Sequence, residues 1–209
     1  MATPGVNAPG VPPAITAAVF QLDSFVVRQK TFSLAPCFYI RDRMGNTLAF
    51  LRQKVFTWKD EVRVFTDATH SLELLRIKAR KIVDWGAAFD VTDSVNHQKV
   101  GTVKRPGWGS VMRREWIILN ALDQEIGRMR QDSASLALIR SLVTTLLPQS
   151  FSFTAAGETV GTAKGSWNLF APRMVVDFSR DPERKLDRRL AIAGVVLLIA
   201  IEGRLRWYD

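Results

Sequence analysis

Near the carboxyl end of this chain twelve uncharged residues follow one another without interruption: Leu190-Ala-Ile-Ala-Gly-Val-Val-Leu-Leu-Ile-Ala-Ile201. Arg188 and Arg189 stand before the run, and Glu202, Arg204 and Arg206 stand after it. As a helix it extends roughly 18 Å at about 1.5 Å per residue. A bilayer core is about 30 Å thick and needs about 20 apolar residues. A helix that is apolar all round but too short to span belongs inside a protein, and membrane insertion is the alternative. The rest of the fold must therefore supply an interior that can hold a helix.

The preceding sequence supplies strands. Phe38–Asp42 and Leu48–Val55 flank Gly45-Asn46, a hairpin signal. Glu61–Thr66 alternates strictly, as a half-buried strand does. Leu75, Ile77 and Ala79 alternate with Arg76, Lys78 and Arg80. Ala87–Asp93 and Lys99–Arg105 flank the turn Ser94–His97, and Glu115–Leu122 and Glu125–Arg130 flank Asp123-Gln124. Asp132-Ser133 then caps a helix marked by Leu136, Ile139, Leu142, Val143, Leu146 and Leu147 and stopped by Pro148. Phe151–Ala155, Glu158–Lys164 and Arg173–Phe178 complete about twelve strands. The final helix is expected to begin near Pro182-Glu183 with Asp181 as its cap.

A meander of this length escapes exposed edges by closing on itself. The expected fold is mainly β: a closed twelve-stranded antiparallel barrel around a buried hydrophobic C-terminal helix, with one extra helix after the ninth strand. Residues 19–209 form that single domain, and residues 1–18, rich in Pro, Gly and Ala, read as a flexible leader. Gly194 is expected to let a strand side chain approach the central helix closely.

Resemblance to a known family enters at QKTFSLAPCFYIRDRMGNTLAFLRQKVFTWKDEVRVFTD. A strand ending Gln29-Lys30, the hairpin strand Tyr39–Asp42 and a second Gln53-Lys54 strand resemble the opening of the phospholipid scramblase and LURP-one-related proteins. The Val-Gly-Thr-Val-Lys-Arg segment, Leu147-Pro148-Gln149 and the hydrophobic last helix extend the resemblance over roughly residues 22–203. It implies the Tubby C-terminal-like fold, a twelve-stranded barrel around a central helix. The chain departs from scramblases before the last helix, where they carry an acidic, calcium-associated segment. Here Asp177 and Asp181 stand among Arg173, Arg180 and Arg184, too few carboxylates for the six to eight oxygens calcium takes.

Charge is the one unusual term in the composition. The chain carries 29 Lys and Arg against 20 Asp and Glu, a net +9, which favours polyanionic partners. Between residues 28 and 130, 19 basic residues face 11 acidic ones, so the excess belongs to the first nine strands. Basic residues recur at i, i+2: Arg28/Lys30, Arg41/Arg43, Arg52/Lys54, Arg76/Lys78/Arg80 and Arg128/Arg130. In a strand such pairs share a face, about 7 Å apart, while Asp42, Asp60-Glu61, Asp93 and Asp123 mark turns. The candidate anion-binding residues are Arg41, Arg43, Arg52, Lys54, Arg76, Lys78, Arg80, Lys104, Arg128 and Arg130. The same pattern also serves as ordinary polar cover and edge protection. Arg184, Lys185, Arg188 and Arg189 read as a solvated helix start, with Asp181 and Lys185 as an i, i+4 pair.

Other chemistry is scarcely signalled. One cysteine, Cys37, forbids an intrachain disulfide and reads as a small core residue in a reducing compartment. His70 and His97 stand apart, so no metal or other cofactor is expected. Trp85 and Trp116 read as core, whereas Trp58 and Trp108 lie in turns. No nucleophile elbow, Walker loop or dinucleotide fingerprint occurs, and Asp42 and Asp90 fit hairpin roles.

The expectation is thus a non-enzymatic, cytoplasmic binding or scaffold protein, peripheral to the membrane, docking anionic phospholipid or phosphoinositide head groups through a basic barrel face. The alternatives are a nucleic-acid-binding or regulatory module, and a scramblase whose last helix inserts.

Overall fold

The computed structural model describes residues 18–30, 37–53, 61–80, 87–106, 115–132, 149–166 and 173–202. The helix expected between Asp132 and Pro148 lies outside these segments, as do nearly all of the expected leader and Trp58, Trp85 and Trp108.

Twelve strands follow in order: β1 (Ser24–Gln29), β2 (Cys37–Arg41), β3 (Thr47–Gln53), β4 (Glu61–Phe65), β5 (Glu73–Ala79), β6 (Ala87–Asp93), β7 (Gln98–Arg105), β8 (Glu115–Asn120), β9 (Glu125–Gln131), β10 (Gln149–Ala155), β11 (Glu158–Ser166) and β12 (Arg173–Asp177). Each pairs antiparallel with its neighbours in sequence, and β1 pairs with β12, so the barrel is closed. At the closure Ser24 faces Asp177, Val26 faces Val175 and Arg28 faces Arg173.

Alternation decides which side chains enter. Val62 and Val64 of β4, Leu75 and Ile77 of β5, and Phe151 and Phe153 of β10 are buried, while Arg63, Arg76 and Ser152 between them lie on the outer face. The β2–β3 hairpin turns at Gly45, whose φ of +91° suits glycine. The Asp42 carboxylate accepts the Asn46 backbone and side-chain N–H groups at 2.8 Å. Five hairpins, β2–β3, β4–β5, β6–β7, β8–β9 and β10–β11, share one end of the barrel.

The chain leaves β12 at that hairpin end, crosses the mouth through residues 178–187 and enters the barrel as α1 (Arg188–Leu197), continued by a π-helical turn, Leu198–Glu202. Every residue from Leu190 to Ala200 is buried, and α1 packs against β6, β7 and β8. Among the described residues no helix is long and apolar enough to cross a membrane.

Four expectations for this segment are corrected. The helix begins at Arg188 with Asp187 as its N-cap, not near Pro182. Arg184 adopts φ +55°, which no right-handed helix passes through, and this ends any helix started at Pro182. The Asp181 carboxylate accepts the Lys185 backbone N–H at 2.8 Å and that of Leu186 at 3.2 Å, while Lys185 Nζ reaches Glu158 at 2.7 Å. The Asp181–Lys185 side-chain pair is therefore absent. Arg188 is not solvated: its side chain is 2% exposed and meets the fully buried Asp181 carboxylate at 2.7 Å. Its guanidinium also reaches Asp23 at 3.0 Å and lies 4.6 Å from the centre of the Phe178 ring. Finally, a Cβ on Gly194 would meet Met129 and Phe153 at 3.8 Å, ordinary contact distance, so the close approach that glycine was expected to allow does not occur there.

Candidate functional site

The outward strand face carries the cations, and the structure places carboxylates among many of them. The backbones of Arg52, Arg63 and Arg76 lie opposite one another across β3, β4 and β5. Glu61 and Glu73 lie within this row: Arg63 Nε is 2.7 Å from Glu61, and Arg76 Nε is 2.9 Å from Glu73. Burial pushes the Glu73 carboxyl up, but hydrogen bonds from Arg76 and Ser94 and the charges of Arg76 and Arg63 outweigh it and hold it below its ordinary value.

A second cluster joins β5, β6, β7 and the β8–β9 turn. Arg80 meets Asp90 and Asp123, each at 2.7 Å, and Lys99 meets Asp123 at 2.8 Å. The fully buried Thr102 hydroxyl lies beneath, 2.9 Å from Asp90 and 3.0 Å from Asp123. Hydrogen bonds to Asp90 and Asp123 push the Arg80 guanidinium further up. A third cluster places Glu115 2.9 Å from Arg128 and 2.8 Å from Arg130, with Glu125 also on Arg128. Asp90 is thus a mid-strand ion-pair partner rather than a hairpin residue. Glu61, Glu73 and Glu115 likewise show that the carboxylates are not confined to turns.

These pairs change what the candidate cations can offer. Arg76, Arg80, Arg128 and Arg130 are each held by one or two carboxylates. Arg43 is 3.6 Å from Asp177. Arg41 is half-buried, its guanidinium 5.6 Å from the centre of the Tyr39 ring. Lys54 and the Arg52 side chain lie outside the described residues. Lys78 and Lys104 are exposed, with no carboxylate among the described residues in ion-pair reach.

Arg28, Lys30, Lys164 and Arg173 share that condition. The first two belong to an i, i+2 pair visible in the sequence. Lys164 and Arg173 carry no such spacing signal, because barrel closure alone brings β11 and β12 beside β1. Arg28 faces Arg173 directly. Lys164 faces Val175, which is 42% exposed. All six of these exposed cations sit toward the end of the barrel opposite the hairpins.

The interior offers no comparable chemistry among the described residues. Trp116 and Cys37 are buried, in agreement with their core reading. The buried polar groups at the mouth, Asp181 and Arg188, neutralise each other.

Comparison with known proteins adds the following. The sequence model of one family, described as LURP-one-related, matches residues 47–197. No curated protein matches. A protein of Arabidopsis thaliana solved by X-ray crystallography superposes with a TM-score of 0.47 at 14% identity, covering 85% of this chain and 92% of that one.

Proposed function

The match spans well over half of the sequence, so the chain belongs to the LURP-one-related family, and from that premise we propose a non-enzymatic binding or scaffold protein that docks on anionic phospholipid surfaces, phosphoinositides included, as a peripheral protein of the cytoplasm. The observation that carries this reading is the set of outward cations, from Arg28 to Arg173, that meet no carboxylate among the described residues, on a chain of net charge +9. Cations near a charged bilayer contribute about 1 kcal/mol each. The helix has its apolar surface inside the barrel, and this supports docking over insertion.

Co-sedimentation with vesicles of phosphatidylserine and phosphatidylcholine tests the reading. The protein is expected to pellet with anionic vesicles at low salt, to stay in the supernatant with neutral ones, and to be released by about 0.5 M NaCl as the Debye length shrinks to a few ångströms. No binding to anionic vesicles at low salt would overturn it.

A further inference from the structure

The barrel treats its like-charged rows in two different ways. Across β3, β4 and β5, Arg52, Arg63 and Arg76 stand in line, and Glu61 and Glu73 are placed among them. Across the closure, Arg28 and Arg173 stand opposite each other at roughly 5 Å between Cα atoms, and no carboxylate among the described residues meets either one. Like charges directly opposite are destabilising. Among the described residues the sequence therefore leaves the repulsion at the closing seam without a carboxylate, although it places carboxylates in the equivalent row elsewhere.

We infer that this seam, formed by Arg28 of β1, Arg173 of β12 and Lys164 of β11, is where the chain holds lipid phosphates of an anionic bilayer. The inference rests on the membrane-docking reading above and gives it a location. Lys164 lies beside Val175, two residues along the outward face from Arg173, or about 7 Å. Lys30 extends the same face beyond Arg28. Two guanidiniums offer forked donors to phosphate oxygens, and the lysines add point charges. An anion between Arg28 and Arg173 replaces their repulsion with attraction.

The neighbouring side chains favour lipid over nucleic acid. Val175 is 42% exposed and faces the half-buried Val26, which makes an aliphatic strip beside the cations. Tyr39 faces Arg28 from β2, and tyrosine suits the head-group level of a bilayer. A single-strand nucleic-acid site would instead present successive rings for stacking.

The test uses the full chain and phosphatidylserine vesicles. Two triple variants remove the same net charge: Arg28→Gln/Lys164→Gln/Arg173→Gln at the seam, and Arg76→Gln/Arg128→Gln/Arg130→Gln in the paired rows. Near-UV circular dichroism confirms that each is folded. The seam variant is expected to partition roughly a hundredfold more weakly, at about fivefold per cation, and the row variant to change by less than about threefold. Equal losses, or a loss confined to the row variant, would overturn the seam while leaving membrane docking intact. Failure of the wild type to bind vesicles would overturn both, as would binding to DNA without binding to vesicles. A second readout needs no variant. Vesicles should protect Arg28 and Arg173 from an arginine-directed reagent such as phenylglyoxal, but not Arg43, which is 70% exposed at the hairpin end. Protection of Arg43 alone would overturn the assignment.

Discussion

Two glycines of similar appearance in the sequence have opposite meanings in the structure. A Cβ on Gly161 would run into the ring of Phe178, which is wholly buried and packed 5.0 Å from Phe153 beneath the Arg188 guanidinium. Gly194 has room, with its nearest neighbours at 3.8 Å. Gly161→Ala is therefore expected to destabilise by about 1–3 kcal/mol through overpacking. Gly194→Ala should stabilise by up to about 1 kcal/mol through helix propensity. Urea unfolding midpoints check both, and a destabilised Gly194→Ala would contradict the geometry. At this scale the sequence shows which residues are small but not what stands opposite them. Gly161 meets Phe178 across the β11–β12 pair, one position beyond Thr162 facing Asp177. The same limit hid the Arg28–Arg173 pair, whose partners are far apart in the chain and adjacent in space.

Elements were far more legible than their boundaries at the mouth. Alternation locates β4 and β5, the turn Ser94–His97 separates β6 from β7, and Gly45-Asn46 locates the β2–β3 turn, because local backbone conformation decides those features. Asp181-Pro182 resembles a helix N-terminus, yet α1 starts at Arg188. Asp181 instead uses its carboxylate to hold the mouth-crossing turn and the Arg188 guanidinium, a role set by tertiary packing. Arg188 thus fastens the entry of α1 to Asp181, and to Asp23 next to β1. Arg188→Met leaves the buried Asp181 charge without its cation and is expected to cost about 3–5 kcal/mol. Adding Asp181→Asn should recover part of that loss, which a double-mutant cycle of unfolding free energies measures. Additive losses would mean the two side chains act independently.

At the scale of the whole barrel, charges of the described residues are unevenly spread along its axis. Asp23, Asp42, Asp67, Asp93, Asp123 and Glu158 stand at the hairpin end together with the exposed Arg180 and Arg184, and the six exposed cations from Arg28 to Arg173 that meet no carboxylate among the described residues stand toward the other. Composition gives one net charge and does not show where these groups stand along the barrel. A different set of carboxylates, buried in whole or in part, governs the response to acid. Burial pushes Glu73, Asp90, Glu115 and Asp181 up, but hydrogen bonds and ion pairs outweigh it in each and leave all four below their ordinary values of 4.5 for Glu and 3.8 for Asp. Groups depressed by folding contribute stability that is complete above the ordinary range and lost as the pH falls through the folded values. The urea midpoint is expected to be flat between about pH 5.5 and 7 with respect to these groups and to fall below about pH 4. A midpoint that rises on acidification below pH 4 would contradict this account.

The order of elements also has a kinetic consequence. The helix that fills the barrel is made after all twelve strands, and the strand that closes the wall pairs with the first. On the ribosome, eleven strands emerge before the wall can close or the lumen can be plugged. Contacts this distant in sequence form slowly, and until residue 200 is released the nascent chain exposes an unfilled apolar interior, the condition in which chaperones hold a client.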